Sequence, residues 1–238
     1  MSAVEGDTVL QSDVLEDLRS AANYRRWLCS LGLPYFGDDV LEIGSGLGDY
    51  AADWADMAVG TDLKITASEA DPARLDVLRA RFEGHPTVSV RELTVPISVE
   101  ADYSAVVAYN VLEHIPNHVE ALRAFRGLLR TGGAVVLIVP AFNFAMSDFD
   151  RSIGHQRRYT RRSLGDALRA AGLRIQRLQY VNAPGLLAWT VMMRLLKQRP
   201  SEGTLLTAYD KGVVPVVRRV EKVVRVPFGQ SVLAVARR

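Results

Sequence analysis

The apolar positions of this chain fall into two rhythms that alternate along its length. Over residues 12–30 they recur at helical spacing, at Val14, Leu15, Leu18, Ala21, Ala22, Trp27 and Leu28, until Gly32 and Pro34 end the run. Short, mostly apolar runs then predict strands over 39–43, 64–70, 88–93, 104–110, 134–140, 174–181 and 231–237. The runs at 104–110 and 134–140 are apolar at nearly every position, as expected of strands covered on both faces. Helical patterns separate the strands. One opens on Pro72, turns Leu75, Leu78 and Phe82 inward and stops at Gly84-His85-Pro86; another covers 117–130, after which Thr131-Gly132-Gly133 reads as a turn. A third begins at Thr160 as N-cap, with Leu164, Ala167, Leu168 and Ala171 inward and Gly172 closing it. This alternation predicts an α/β fold with a doubly wound, mostly parallel sheet. No repeat or low-complexity linker divides residues 1–238, which read as one domain.

Two segments break the rhythm. Residues 141–159 are irregular. Residues 182–230 form a long insert before the last strand, rich in apolar residues (Leu186, Leu187, Trp189, Val191, Met192, Met193, Leu195, Leu196) and punctuated by Pro184, Pro200, Pro215 and Pro227.

The strand Val40-Leu41-Glu42-Ile43 runs directly into Gly44-Ser45-Gly46-Leu47-Gly48, and a helix rich in small residues follows. Glycines allow a sharp turn and close approach of a ligand to the backbone. A strand, a glycine turn and a helix N-terminus together make a nucleotide-type site at the carboxyl edge of a parallel sheet. The dinucleotide fingerprint G-x-G-x-x-G needs its third glycine at position 49, which is Asp49; here it falls at Gly48. That disfavours a nicotinamide-dependent oxidoreductase. A nucleoside ligand also needs its ribose held, and a carboxylate at the end of the second strand serves this purpose. Glu69 stands there, able to accept from both ribose hydroxyls.

Composition narrows the partners. With 48% hydrophobic and 24% charged residues the chain is of ordinary globular type, and its net charge of +2 gives no ground for nucleic acid. Cys29 is the only cysteine, so no intramolecular disulfide can form. The acidic, polar start does not read as a signal peptide and no apolar run is long enough to span a bilayer, so a cytoplasmic location is expected.

Glu42 with Gly44-Ser45-Gly46-Leu47-Gly48 resembles motif I of class I S-adenosylmethionine (SAM)-dependent methyltransferases. Two later runs, Asn110-Val111-Leu112-Glu113-His114-Ile115-Pro116 and Leu128-Leu129-Arg130-Thr131-Gly132-Gly133, are similar to the N-x-L-E-H and L-x-x-G-G segments of small-molecule methyltransferases, in the same order and spacing. The resemblance covers residues 40–140. It implies the Rossmann-like, seven-stranded sheet of that class with an antiparallel last strand, SAM as cofactor and S-adenosylhomocysteine as product. It also implies that Glu42, Gly44, Gly46 and Gly48 face the methionine part, Glu69 holds the ribose, and Ala70, Leu93 and Thr94 border the adenine. Asn110 and Val111 would lie near the methionine amino group, and Tyr24 and Trp27 on a capping helix within 12–34 would cover the cofactor. Aromatic residues on such a helix can equally be core. In ubiquinone-pathway O-methyltransferases, a segment similar to 110–114 supplies an acidic–acidic–histidine metal site; here Asn110 replaces the first acid and leaves Glu113 and His114, so no metal is expected.

Gly154-His155-Gln156-Arg157-Arg158-Tyr159-Thr160 resembles the G-H-x-R-R-Y-T segment of a broad bacterial methyltransferase subfamily, and Gly229–Ala236 matches its end. His114, His155, Arg158 and Tyr159 are the candidates for acceptor chemistry. A histidine can take a proton from a hydroxyl acceptor, while arginine and tyrosine suit an anionic group. The insert at 182–230 is placed to act as a lid over a greasy acceptor, though core packing, a dimer interface or a membrane-surface helix with Arg194, Lys197 and Arg199 on its polar side would account for it equally. The expected acceptor is a moderately hydrophobic small molecule methylated on a carboxylate or hydroxyl oxygen. A non-catalytic scaffold of the same fold stays open, as does the choice between monomer and homodimer.

Overall fold

Side chains on successive strand residues point to opposite faces, and the interior follows that period of two. Val135, Leu137 and Val139 enter one core cluster while Ala134, Val136 and Ile138 enter the other. A computed structural model describes residues 20–96, 101–192 and 204–238, together with Leu10. Its seven strands are β1 (Asp39–Ile43), β2 (Lys64–Glu69), β3 (Val88–Glu92), β4 (Tyr103–Tyr109), β5 (Leu129–Pro140), β6 (Arg174–Val181) and β7 (Ser231–Arg237). They lie in the order β3-β2-β1-β4-β5-β7-β6. The β1–β2, β2–β3, β1–β4 and β4–β5 pairs are parallel, and β7 runs antiparallel between β5 and β6. This is the doubly wound mixed sheet that the strand–helix alternation and the resemblance implied.

One face carries α1 (Ala22–Gly32), α2 (Asp49–Met57) and α3 (Pro72–Arg81), whose neighbourhood buries Trp27, Trp54, Leu78 and Phe82. The other carries α4 (His118–Gly127) and α6 (Arg161–Ala170), which bury Leu122, Phe125, Leu164 and Leu168. The cap expected at Thr160 forms, and Asp71 supplies another. Asp71, just before Pro72, accepts from Arg74 N at 3.0 Å. Thr160 Oγ1 accepts from Ser163 N at 3.1 Å while Ser163 Oγ accepts from Thr160 N at 2.9 Å, a reciprocal capping box.

Three boundaries differ from expectation. β5 begins at Leu129 instead of residue 134, because Leu129 pairs with Tyr103 and the register then shifts before Ala105 pairs with Ala134. Gly132-Gly133 is therefore an irregularity inside a longer strand, not a turn before it. The helix expected over 117–130 spans His118–Gly127. The irregular stretch 141–159 contains a helical turn at Asn143–Ala145 and a short helix, α5 (Asp148–Ser152).

The insert forms α7 (Ala183–Thr190), α8 (Thr204–Ala208), a π-helical segment at Tyr209–Val213 and α9 (Val214–Val223). α7 packs on the turn after β5, with Trp189 Nε1 donating to Ala145 O at 3.2 Å. The π-helical segment meets α1: Asp210 accepts from Tyr24 N at 2.8 Å and from Asn23 N at 3.1 Å. It thereby supplies the acceptor that α1 lacks in its own sequence, since Ala21 at its N-cap position has no polar side chain. The readings made at Val14, Leu15, Leu18, Met193, Arg194, Leu195, Leu196, Lys197, Arg199 and Pro200 lie outside the described residues.

Candidate functional site

The carboxyl ends of β1, β2 and β4 meet where the strand order reverses, between β1 and β4, the place at which open α/β sheets form a ligand crevice. Gly44 and Gly48 have φ of +68° and +83°. A Cβ on Gly44 would lie 2.8 Å from Val111 Cγ2, and one on Gly48 would lie 2.6 Å from the Phe82 ring. Both positions exclude a side chain by conformation and by space. The Gly44 contact also brings the glycine turn against the segment that follows β4.

Glu69, buried at the end of β2, accepts from Gly46 N at 2.8 Å, from Ala70 N at 2.9 Å and from Asp71 N at 3.0 Å, with the Arg74 guanidinium 3.4 Å away. It thus ties the glycine turn to β2. Glu42 is buried beneath the turn and accepts from Ser45 Oγ at 2.7 Å. Burial pushes its carboxyl up to about 8, against the hydrogen bond from Ser45 and with the help of Glu69 nearby. Ala70 is half-buried, Leu93 buried and Thr94 exposed along one wall. Asn110 is exposed at φ +53° and donates its N–H to Ile138 O at 2.8 Å, and Val111 is half-buried against Gly44. Trp27 packs into the core, with the Tyr24 ring edge-on to it at 6.0 Å; Tyr24 is half-buried.

The Glu42 carboxyl has a consequence for stability. Its folded pKa is raised, so the stability linked to its protonation is complete below its ordinary value of 4.5 and is lost as the pH rises through about 8. Glu42→Gln is therefore expected to melt closer to wild type at pH 5 and higher than wild type at pH 9. Thermal melts at both pH values check this, and a variant that loses stability equally at both refutes it.

On the acceptor side, the adjacent residues Glu113 and His114 meet His155, which lies more than forty positions further along the chain. Glu113 is fully buried, and its carboxylate oxygens and His114 Nδ1 have no hydrogen-bond partner among the described residues. His155 Nε2 lies 3.8 Å from Glu113 Oε1, and the His114 and His155 rings are 4.6 Å apart, edge to face. Burial pushes Glu113 up to about 7, while burial and the neighbouring His155 push His114 down to about 3. His114 is therefore a neutral imidazole near pH 7, and the Glu113 carboxyl is poised to gain or lose a proton there.

Asp150 on α5 orients His155 from behind. Its Oδ1 lies 2.9 Å from His155 Nδ1 and accepts from Arg158 Nη2 at 2.6 Å, while Oδ2 accepts from Ser147 N at 2.7 Å and from Ser147 Oγ at 2.6 Å. Arg158 also donates to Ala141 O at 3.3 Å and lies over the Trp189 ring, 5.0 Å from its centroid. Tyr159 is buried; its hydroxyl donates to Leu112 O at 3.4 Å and lies 2.8 Å from His118 Nδ1. Of the four candidates, His114 and His155 adjoin Glu113, whereas Arg158 and Tyr159 bond into the wall behind them.

The methyltransferase domain family matches residues 10–178. The chain belongs to this family. Its fold is that of the class I SAM-dependent methyltransferases, and SAM is the cofactor of that class. Over 104 residues, 41% of its length, the chain is 29% identical to the non-reducing polyketide synthase atr1 of Stereocaulon alpinum and spans 4% of it. Over 112 residues, 47% of the chain, it is 28% identical to an uncharacterized methyltransferase of Mycobacterium bovis and spans 42% of that protein. The chain thus spans less than half the length of these curated relatives. Among solved structures, the geranyl diphosphate C-methyltransferase of Streptomyces coelicolor A3(2), in complex with Mg2+, geranyl diphosphate and S-adenosyl-L-homocysteine, matches with a TM-score of 0.61. The match has 15% identity and covers 88% of this chain and 78% of that one. Among the described residues, no helix of the chain is long and apolar enough to cross a membrane.

The sequence alone assigns no catalytic role to Glu113 or Asp150. Glu113 lies inside the N-x-L-E-H run, next to His114. Asp150 lies in the irregular stretch, where its only local signal is Ser147 three residues before it, an N-cap pattern. The ligand atoms of Glu113, His114 and His155 all lie within 4.8 Å of one another, so this trio could also hold a divalent cation.

Proposed function

We propose that this methyltransferase transfers the methyl group of SAM to a carboxylate or hydroxyl oxygen of a moderately hydrophobic small molecule, without a metal. The reading rests on one juxtaposition: the glycine turn touches Val111, and two residues further on begins the cluster of buried Glu113 with half-buried His114 and His155. Glu42, Gly44, Gly46 and Gly48 take the methionine part of the cofactor, and Glu69 takes the ribose. Ala70, Leu93 and Thr94 border the adenine, Asn110 and Val111 border the methionine amino group, and Tyr24 and Trp27 close the cofactor from α1.

SAM supplies an electrophilic methyl group, so the protein's work is to align the acceptor and accept its proton. His114 and His155 face the acceptor. Glu113, with its carboxyl matched to neutral pH, receives through His155 the proton that a hydroxyl acceptor releases; a carboxylate acceptor arrives already ionised. Arg158 and Tyr159 act as positioning residues that hold the wall bearing His155. α7 serves as the lid on this side, a reading supported by the contact of Trp189 with Ala145. The matched geranyl diphosphate enzyme methylates carbon, but at 15% identity that likeness concerns the fold alone.

Calorimetry should show micromolar binding of S-adenosylhomocysteine and none of NADH. Fatty, aromatic and glycosylated acids and alcohols would then be screened with methyl-labelled SAM, with and without EDTA. The expected product is an ester or ether formed at the same rate in EDTA. A methyl group found on nitrogen or carbon overturns the oxygen assignment. Activity lost in EDTA and restored by Mg2+ assigns the Glu113–His114–His155 trio to a cation instead.

A further inference from the structure

We infer that the outer face of α9 is a docking surface for an anionic lipid bilayer. The helix buries Val214 and Val217 against the core. Val213, Val216, Val220 and Val223 recur at spacings of three and four and form one stripe along the outside, between 37% and 85% exposed, with exposed Val224 and Phe228 following.

The charges of this segment are sorted by sign. Both of its acids point inward: Asp210 is buried on the N–H groups of Asn23 and Tyr24, and Glu221 accepts from Asn182 N and Ala183 N at 3.0 Å each. Its five cations are Lys211, Arg218, Arg219, Lys222 and Arg225, all exposed except the half-buried Arg218. Among the described residues, none of the five pairs with a carboxylate. Arg219 stands three residues after Val216 and four before Val223, so it flanks the stripe, and Lys222 adjoins Arg218 and Arg219 by the same spacing.

An apolar row bordered by unpaired cations is how an interfacial helix meets acyl chains and acidic headgroups together. A protein partner fits less well. The stripe is aliphatic and β-branched with no aromatic anchor on the helix, whereas the residues that dominate protein interfaces are enriched in Trp, Tyr and Arg at a desolvated centre. Leu187 and Val191 on α7 expose further apolar surface from the same insert. The insert lies beyond the family match, which stops at residue 178.

Co-sedimentation of the full chain with vesicles tests the inference. Vesicles of phosphatidylcholine alone are compared with vesicles that also contain phosphatidylglycerol, at low and high salt. The protein is expected to sediment with the anionic vesicles only, and less at high salt. Arg219→Glu with Lys222→Glu should lower the partition coefficient by more than about tenfold. The triple variant Val216→Ser, Val220→Ser, Val223→Ser should lower it by about tenfold. Both variants should melt near wild type, because the altered side chains are exposed. Absence of wild-type binding to anionic vesicles overturns the inference, as does binding unchanged in both variants. Light scattering that shows a wild-type dimer dispersed by the valine substitutions assigns the stripe to a second copy of the chain and overturns it as well.

Discussion

Glu69→Ala should weaken the binding of S-adenosylhomocysteine by about a hundredfold or more. Two ribose hydroxyls donating to a charged acceptor contribute roughly 1.5–3 kcal/mol each, and the low end of that range already gives two powers of ten. A second effect has the same sign. Glu69 accepts from Gly46 N, so its loss also frees the middle of the glycine turn. The fold should survive, because Asp71 still caps α3 and keeps a longer contact, 4.0 Å, with Arg74. Glu69→Gln separates the two contributions: the amide can still accept from Gly46 N but is uncharged, so it should hold the turn and bind with intermediate affinity. Calorimetry beside a thermal melt decides. Unchanged affinity in the alanine variant would remove Glu69 from the ribose role.

The second large effect is expected at Asp150. Asp150→Asn should destabilise the protein by about 3 kcal/mol or more, the size seen when one partner of a buried ion pair is removed and the other stays. The carboxylate is fully buried and serves Arg158, His155 and Ser147 at once. An amide there would turn an N–H group towards one of these donors and leave the Arg158 charge uncompensated. Asp150→Asn combined with Arg158→Met removes the stranded cation and should recover part of the loss.

The pH dependence follows from the same contacts. Burial alone would raise the Asp150 carboxyl, but the hydrogen bond from His155, the Arg158 charge and Ser147 together hold it well below the ordinary 3.8. Its folded pKa is depressed, so the stability it gives is present above 3.8 and is lost as the pH falls below that value. Urea unfolding should show a wide gap between wild type and Asp150→Asn at pH 7 that narrows in acid. A gap of constant size across that range would show that the loss at Asp150 is not electrostatic.

The parts of the site legible from sequence were those built by neighbours along the chain. The glycine turn, Glu42 and the cap at Thr160 are local: a ligand-approach turn needs glycine at set spacings, and an N-cap needs an acceptor three residues before its donor. The strands were legible because burial on both faces imposes nearly continuous apolar runs. The start of β5 was not. Gly132-Gly133 has the composition of a turn, and only the pairing of Leu129 with Tyr103 makes it part of a strand.

The acceptor side was legible in its residue types but not in their roles. Arg158 and Tyr159 looked like donors for an anion, whereas their positions inside the wall give them Asp150, Ala141 and Leu112 as partners. By itself, then, the sequence determined the fold class, the place of the cofactor turn and the residues from which a site could be drawn, because periodicity and short-range hydrogen bonding are written in consecutive residues. Tertiary structure alone decided that Glu113 faces His155 across forty-two positions, that Asp210 caps a helix at the far end of the chain, and that Asp210 and Glu221 turn inward while Lys211, Arg219, Lys222 and Arg225 stay exposed. Those contacts depend on how distant segments converge on the sheet edge, and spacing along the chain carries no record of that convergence.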